Sequence, residues 1–370
     1  MARENWRRVV VKVGTSSLTD VGGRIHPPLL WALARGLGTL QTALGCKVVL
    51  VSSGAGAAGR ERLGVSLPLT LPEKQAAAAV GQTLLMLEWA RAVAPTPVAQ
   101  LLLTAADIQD RERYVNAKNA LEASLKLGAL PIINENDSVA TSEIKFGDND
   151  TLSAWTAHLV GADALLILTD VDGLYDSDPR ENPEAKPLAV VEDVAQVQHL
   201  AGSAGTARGT GGMVTKLRAA ALATAAGTET LIIGGGGAGL EALAAGVVRG
   251  TRFLAKAHLP SRKSWLAQQR TRGTVEVDAG ALRALQTGRS LLPKGITGVS
   301  GTFSFGDAVA VTHGETQVAQ GLCNYSSAAL TKIQGRHTGE IAELLGTKDY
   351  DEVIHRDNLV LTTHQKSPGT

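Results

Sequence analysis

Residues 9–15 read VVVKVGT, a β-branched run that ends in a glycine turn. Runs of this kind favour a buried β-strand. Further apolar runs follow in the first two thirds of the chain, at residues 47–51, 97–102, 130–133, 164–168 and 230–233. Longer Ala/Leu-rich stretches with helical spacing separate them, at residues 28–44, 73–92, 116–127, 150–160 and 213–226. This alternation predicts an α/β fold, with an open, mostly parallel sheet flanked by helices on both faces.

Length and composition exclude several classes of protein. A chain of 370 residues has room for about two domains. Its 36 basic and 35 acidic residues nearly cancel, so bulk charge indicates no polyanionic partner. The cysteines, Cys46 and Cys323, lie far apart, which indicates neither a disulfide framework nor a zinc site and favours a reducing cytoplasm. We see no export signal and no apolar run of the roughly 18–20 residues that cross a bilayer, so no membrane association is expected.

The character of the sequence changes near residue 251. Residues 251–273 carry six basic residues and no acidic one, as in a linker or an edge-strand pair. Short β-like pieces punctuated by glycine follow, and they predict a small, mainly-β domain. We therefore predict a first domain at residues 1–255, a basic linker at 256–273, a second domain at 274–358 and a tail at 359–370.

Glycine-rich turns follow several of the predicted strands, where parallel sheets bind ligands. Lys12 and Gly14 end the first run, residues 52–59 read SSGAGAAG, and residues 209–216 read GTGGMVTK. A lysine beside free backbone N–H groups suits a phosphate. Each stretch alone is also consistent with a surface lysine or a tight turn, and no Walker A spacing is present. Two lysine-bearing stretches in one α/β domain together indicate a nucleotide polyphosphate.

A dense polar segment follows the run at 130–133. Residues 134–137 read NEND and residues 145–150 read KFGDND. Polar side chains at this density are poor core material. Acidic groups there suit a substrate ammonium and amides suit its carboxylate. The alternative is a solvated loop in which Asp150 caps a helix.

These motifs, in this order and spacing, resemble the motif set of the amino acid kinase superfamily, and specifically that of bacterial glutamate 5-kinases. The resemblance spans residues 8–255 and rests on Lys12 to Thr15, Ser53 to Ala55, Asn134 to Asp137, Gly147 to Asp150, Thr169 with Asp170, and Gly211 to Met213 with Lys216. Residues 290–296, SLLPKGI, resemble the PUA domain that those kinases carry. One departure is Ser52, where many relatives have threonine.

The resemblance implies ATP-dependent phosphorylation of the L-glutamate γ-carboxylate to L-glutamyl 5-phosphate, the first step of L-proline biosynthesis, with Mg²⁺ as the accompanying ion. It implies that Lys12 and Lys216 touch the transferring phosphoryl group and that Asp150 orients them. The glutamate-binding residues that it implies are Ser53, Asn134, Asp137, Asp148 and Asn149. The ATP-binding residues are Lys12, Gly14, Thr169, Asp170, Thr210, Gly211, Gly212, Met213, Val214, Thr215 and Lys216. It implies no metal-binding residues, and it implies inhibition by proline and assembly into dimers or tetramers.

Two alternatives compete with this interpretation. The first is another member of the superfamily, acting on acetylglutamate, aspartate or a nucleotide; the polar segment and the PUA-like tail favour glutamate. The second is RNA binding by the PUA domain. Residues 274–370 contain eight basic and ten acidic residues, whereas nucleic-acid-binding modules are normally clearly basic. The six basic residues of 251–273 are consistent with weak RNA binding. The charge balance of residues 274–370 instead favours a structural or regulatory role for the second domain.

Overall fold

The computed structural model describes residues 6–20, 24–140, 148–177, 182–201, 212–255 and 271–362. The chain divides into two compact units, Met1–His258 and Leu259–Thr370. No helix in the described ranges is long and apolar enough to cross a membrane. Most of the predicted basic linker, residues 256–270, lies outside the described residues.

The first unit is built on an eight-stranded sheet. Its strands are β1 (Arg8–Val13), β2 (Lys47–Ser52), β3 (Val98–Leu103), β4 (Leu130–Glu135), β5 (Ala164–Leu168), β6 (Val190–Val191), β7 (Glu229–Ile233) and β8 (Gly250–Phe253). They lie in the order β3-β4-β2-β1-β5-β7-β8-β6. All neighbouring pairs are parallel except β7 and β8. The predicted mostly parallel sheet is confirmed, with β1 near its centre.

Helices cover both faces of this sheet, as predicted. They are α1 (Pro27–Leu44), α2 (Ala55–Leu63), α3 (Leu71–Ala92), α4 (Ala105–Gln109), α5 (Arg111–Lys126), α6 (Asn149–Val160), α7 (Met213–Ala225) and α8 (Gly236–Ala244). Alternate residues of β1 point to opposite faces, so Val9 and Val11 pack with α1, α3 and α8, while Val10 packs with α5, α6 and α7. Burial on both faces explains why the strands read as continuous apolar runs.

Helices α2 and α3 approach each other closely through glycine. A Cβ atom on Gly59 would lie 1.6 Å from the Ala77 carbonyl oxygen, and one on Gly81 would lie 1.8 Å from the Ala55 carbonyl oxygen. No side chain fits at either position, so the two glycines set how near the helices lie. The next residue on α3, Gln82, is also buried.

The second unit is a five-stranded sheet with short helices. Its strands are β9 (Gly273–Val277), β10 (Ile296–Gly301), β11 (Ala308–His313), β12 (Thr316–Leu322) and β13 (Leu359–Leu361), in the order β10-β9-β11-β12-β13. The helices are α9 (Ala279–Gln286), α10 (Ser327–Ile333) and α11 (Ile341–Leu345). The predicted small, mainly-β domain is confirmed. Its own core includes Val275, Phe303 and Leu330.

The structure corrects the start of the predicted tail. We expected a tail from residue 359, but Leu359–Leu361 form β13, antiparallel to β12. Three residues are too few to show strand periodicity, and only the partner strand identifies them. The final residues, 363–370, lie outside the described part of the chain.

Candidate active site

The carboxyl ends of neighbouring strands bring the predicted residues to one edge of the sheet. Strands β4, β2, β1 and β5 are adjacent. Lys12 lies in β1, Ser53 directly follows β2, Asn134 lies in β4 and Thr169 directly follows β5. This edge is where an open parallel sheet binds its ligand.

A buried carboxylate lies between two lysines at this edge. Lys12 Nζ lies 2.6 Å from Asp150 Oδ1, and Lys216 Nζ lies 3.3 Å from Asp150 Oδ2. The Thr215 hydroxyl donates to Asp150 Oδ2 at 2.7 Å. Asp150 is 1% exposed, and each lysine is 6% exposed. Three distant segments of the chain therefore meet in one charged cluster, which we call the Lys-Asp-Lys triad (Lys12, Asp150 and Lys216).

Burial and charge compete within the triad. Burial acts to raise the pKa of Asp150, but the two ammonium groups and their hydrogen bonds outweigh it and lower that pKa. Burial lowers the pKa of Lys12, and the Asp150 carboxylate opposes this without reversing it. The triad carries one more positive than negative charge when all three groups are ionised, so it attracts an anion.

The start of α6 explains how Asp150 reaches the lysines. Asp148 caps this helix: its carboxylate accepts a hydrogen bond from the Thr151 backbone N–H at 2.6 Å. The alternative role for Asp150, as the helix cap, is therefore filled by Asp148. Burial raises the pKa of Asp148, and the nearby Asp150 charge adds to this. Asp150 lies in the first turn, where the helix dipole favours a carboxylate.

An amide network lies beside the triad. Asn149 Nδ2 donates to Ser53 Oγ at 2.8 Å and to Asn134 Oδ1 at 2.9 Å. Asn134 Nδ2 in turn donates to Gln82 Oε1 at 2.8 Å. We call these four side chains, Ser53, Gln82, Asn134 and Asn149, the amide network. Because Asn149 and Asp150 are consecutive, the network and the triad share the start of α6.

The turns that frame the site require glycine and a hydroxyl. Gly54 has φ +108°, a backbone conformation that favours glycine, and it begins α2 directly after Ser53. Ser52 Oγ accepts a hydrogen bond from the fully buried Trp89 indole at 3.0 Å. The hydroxyl that serine shares with threonine at this position therefore fixes the end of β2.

Most of the predicted nucleotide-binding residues that the structure describes lie at the start of α7 or next to Lys12. Thr215 and Lys216 lie in the first turn of α7 and contact Asp150, and Gly212 is the cap residue of that helix. Met213 and Val214 share this first turn, and Val214 is exposed. Gly14 follows β1, where an added Cβ would lie 3.4 Å from Lys12 Nζ.

Other predicted residues follow strands β4 and β5 or lie beyond the described ranges. The Thr169 hydroxyl donates to Asp170 at 3.2 Å at the end of β5. Asp137 lies half-buried in the turn after β4. Thr210, Gly211 and the segment Lys145 to Gly147 fall outside the described residues.

Sequence reasoning missed Gln82 and Trp89. Both lie in α3, inside an Ala/Leu-rich stretch that reads as an ordinary amphipathic helix. The one local signal is a polar glutamine on a buried face, next to a glycine. Its partner, Asn134, lies 52 residues further along the chain.

The fold and the site define a class of protein. Two lysines held by a buried carboxylate suit the negative charge of a phosphoryl group, and an adjacent network of amides and a hydroxyl suits a small polar substrate. Residues 7–235 match the model of the amino acid kinase family, and residues 273–345 match that of the PUA domain. The fold, the site and this match all indicate a kinase.

Similarity to individual proteins identifies a more specific family within the amino acid kinases. The chain is 48% identical to the glutamate 5-kinase of Moorella thermoacetica over 98% of each chain, and 50% identical to that of Herpetosiphon aurantiacus over 97% of this chain and 100% of the relative. A solved carbamate kinase from Giardia lamblia bound to AMP-PNP is 18% identical, covering 68% of this chain and 99% of its own, with a TM-score of 0.49. The chain belongs to the glutamate 5-kinase family, within the amino acid kinases.

Proposed function

We propose that this enzyme transfers the γ-phosphoryl group of ATP to the γ-carboxylate of L-glutamate, forming L-glutamyl 5-phosphate in the first step of L-proline biosynthesis. The observation that carries the proposal is the Lys-Asp-Lys triad, buried beside the amide network. The names of the relatives support L-glutamate as the substrate.

The chemistry requires positioning and positive charge, and it requires no catalytic base. A glutamate side chain has an ordinary pKa of about 4.3, so the attacking carboxylate is already ionised at neutral pH. Two anions must nevertheless approach in line, and charge must be neutralised on the phosphoryl oxygens. Lys12 and Lys216 supply that charge, and Asp150 holds both ammonium groups in place before ATP arrives.

The protein residues of this site fit a magnesium ion that would be held mainly by the phosphates of ATP. Mg²⁺ prefers oxygen ligands, keeps several waters and is usually held by substrate phosphates with few carboxylates. Both Asp150 oxygens already contact an ammonium group, so this carboxylate is committed to the lysines. The ion would supply further positive charge to the ATP phosphates, while the chain's own residues place the two lysines.

The amide network and its neighbours are the proposed glutamate site. Asn149 Oδ1 is a buried acceptor without a hydrogen-bond partner in the part of the chain that the structure describes. An unpaired buried acceptor is costly, and a substrate ammonium would satisfy it. We assign Ser53, Asn134, Asp137, Asp148 and Asn149 to glutamate binding.

A hydroxylamine-trapping assay tests the proposed reaction. Purified protein with ATP and Mg²⁺ is incubated with L-glutamate, N-acetyl-L-glutamate or L-aspartate, and hydroxylamine traps any acyl phosphate. We expect hydroxamate with L-glutamate and little with the other two. Hydroxamate with N-acetyl-L-glutamate or L-aspartate alone would assign the chain a different substrate, and none with any of them would refute acyl phosphate formation.

Asp137→Ala should mainly raise the glutamate KM. The carboxylate follows the polar end of β4 and suits the substrate ammonium, so its loss removes binding shared by ground and transition states. Steady-state kinetics with varied glutamate at saturating ATP measure the change. A variant with the KM of the unmodified enzyme would remove Asp137 from the substrate site.

Proline should inhibit competitively with glutamate. Proline shares the α-carboxylate and the amine of glutamate, so we propose that it binds an overlapping site near residues 134–143, of which 141–143 lie outside the described residues. We also propose a dimer or tetramer. Initial rates at low glutamate, with and without saturating proline, test the inhibition; unchanged rates would refute it.

A further inference from the structure

We propose that Gln82 is a positioning residue of the glutamate site, acting through Asn134 on Asn149. The inference rests on the proposed function and extends it to a helix that carries none of the predicted site residues. Gln82 lies in α3, is buried, and accepts a hydrogen bond from Asn134 Nδ2 at 2.8 Å.

One backbone donor determines the direction of every hydrogen bond in the network. The oxygen and nitrogen of an amide side chain have nearly the same shape, so their assignment depends on their partners. A backbone N–H can only donate, and that of Glu135 lies 2.9 Å from Asn134 Oδ1. The side-chain oxygen of Asn134 therefore faces the Glu135 backbone N–H, and its NH₂ group faces Gln82. The Gln82 atom that faces Asn134 must then be the acceptor, Oε1.

The same logic extends from Asn134 to Asn149. Asn134 Oδ1 has two lone pairs and also accepts from Asn149 Nδ2. The other hydrogen of that NH₂ group goes to Ser53 Oγ. Both donors of Asn149 are thus used, and among the described residues its buried oxygen has no hydrogen-bond partner, which leaves it as an acceptor for a ligand. The network presents an acceptor, and not a donor, to the substrate ammonium.

Gln82 orients Asn134 by accepting a hydrogen bond from its NH₂ group. Without its oxygen, the Asn134 NH₂ group would be a buried donor with no acceptor, which is costly. Asn134 would gain by rotating towards another acceptor, and that rotation would break its contact with Asn149. Gln82 directly follows Gly81, which packs against α2 too closely for any side chain, so the acceptor lies on a closely packed part of α3.

Three substitutions separate this role from simple packing. Gln82→Met keeps the length and removes both polar atoms: Oε1, the acceptor for Asn134, and Nε2, which has no hydrogen-bond partner among the described residues. Gln82→Asn keeps an amide but withdraws it by one carbon. Gln82→Glu keeps the acceptor, because burial favours the protonated carboxyl group, whose C=O and O–H replace the amide C=O and NH₂. Thr83→Met, at an exposed position of the same helix, is the control for adding methionine to α3.

The expected result is a change confined to glutamate. Gln82→Met should raise the glutamate KM by roughly tenfold or more, the effect of one unsatisfied buried donor, with kcat and the ATP KM within about threefold of the unmodified enzyme. Gln82→Asn should change in the same direction. Gln82→Glu should have a glutamate KM close to that of the unmodified enzyme, and Thr83→Met should not alter this KM.

Several results would overturn the inference. An unchanged glutamate KM in Gln82→Met or Gln82→Asn would contradict it. Losses of kcat and of ATP binding as large as the loss of glutamate binding would also contradict it. So would a Gln82→Glu enzyme that is as impaired as Gln82→Met. If Gln82→Met does not fold, the other two variants decide. Calorimetric glutamate binding provides a readout without turnover: unmodified protein that binds glutamate but forms no hydroxamate refutes the proposed reaction alone, and protein that binds none refutes both.

Discussion

Replacing Lys216 or Lys12 by methionine should lower kcat by roughly 100-fold or more, the usual cost of losing a charged contact made in the transition state. Each ammonium group lies on Asp150 and is almost fully buried, so solvent cannot replace it. Methionine preserves most of the buried volume. The other lysine keeps Asp150 paired, so the variants should fold, and the glutamate KM should change much less than kcat.

Single-turnover and steady-state hydroxamate assays at saturating substrates measure this loss. Lys74→Met, at an exposed position on α3, is the matched control and should be as active as the unmodified enzyme. Because the two lysines act on one phosphoryl group, the double variant should be little worse than either single variant. A kcat within about threefold of the unmodified value in both single variants would remove the triad from catalysis.

Much of the fold follows from sequence pattern because the sheet is buried on both faces. The run at residues 9–13 and its counterparts predict β1, β2, β3, β4, β5 and β7 without knowledge of their partners. The pattern does not show that β8 runs antiparallel to β7, because strand direction depends on the connection and not on composition. Residues 359–361 look like a tail for a related reason: only pairing with β12 defines β13.

The residues of the functional site also separate into those that the sequence predicts and those that only the structure reveals. Lys12, Asn134 and Asp150 lie at strand ends or helix starts, where parallel-sheet topology predicts that polar residues meet, and the structure brings them together. Gln82 and Trp89 reach the site from the middle of α3. Their roles depend on the distant partners Ser52 and Asn134, which helical periodicity does not identify.

Asp150→Asn should damage both stability and catalysis. Asparagine keeps the shape but removes the charge, which leaves two buried ammonium groups facing each other without a carboxylate. Removing one partner of a buried ion pair typically costs about 3–5 kcal/mol of folding free energy, because the remaining charges stay desolvated. Loss of the carboxylate would lower the pKa of Lys12 further, because burial and the Lys216 charge would then act on it unopposed by Asp150, so kcat should fall by roughly 100-fold or more, as with loss of the lysines themselves.

Thermal unfolding with and without Mg-ATP distinguishes this account from a general loss of packing. The phosphates supply the negative charge that Asp150→Asn lacks, so ATP should raise the Tm of this variant more than that of the unmodified enzyme. Asp110→Asn is the matched control: Asp110 caps α5 at the surface, and asparagine is an equally good cap. An Asp150→Asn protein with an unchanged Tm would show that the two lysines tolerate each other without the carboxylate. The triad would then not depend on Asp150 for its assembly, and the preorganisation that we assign to this residue would have to come from the backbone alone.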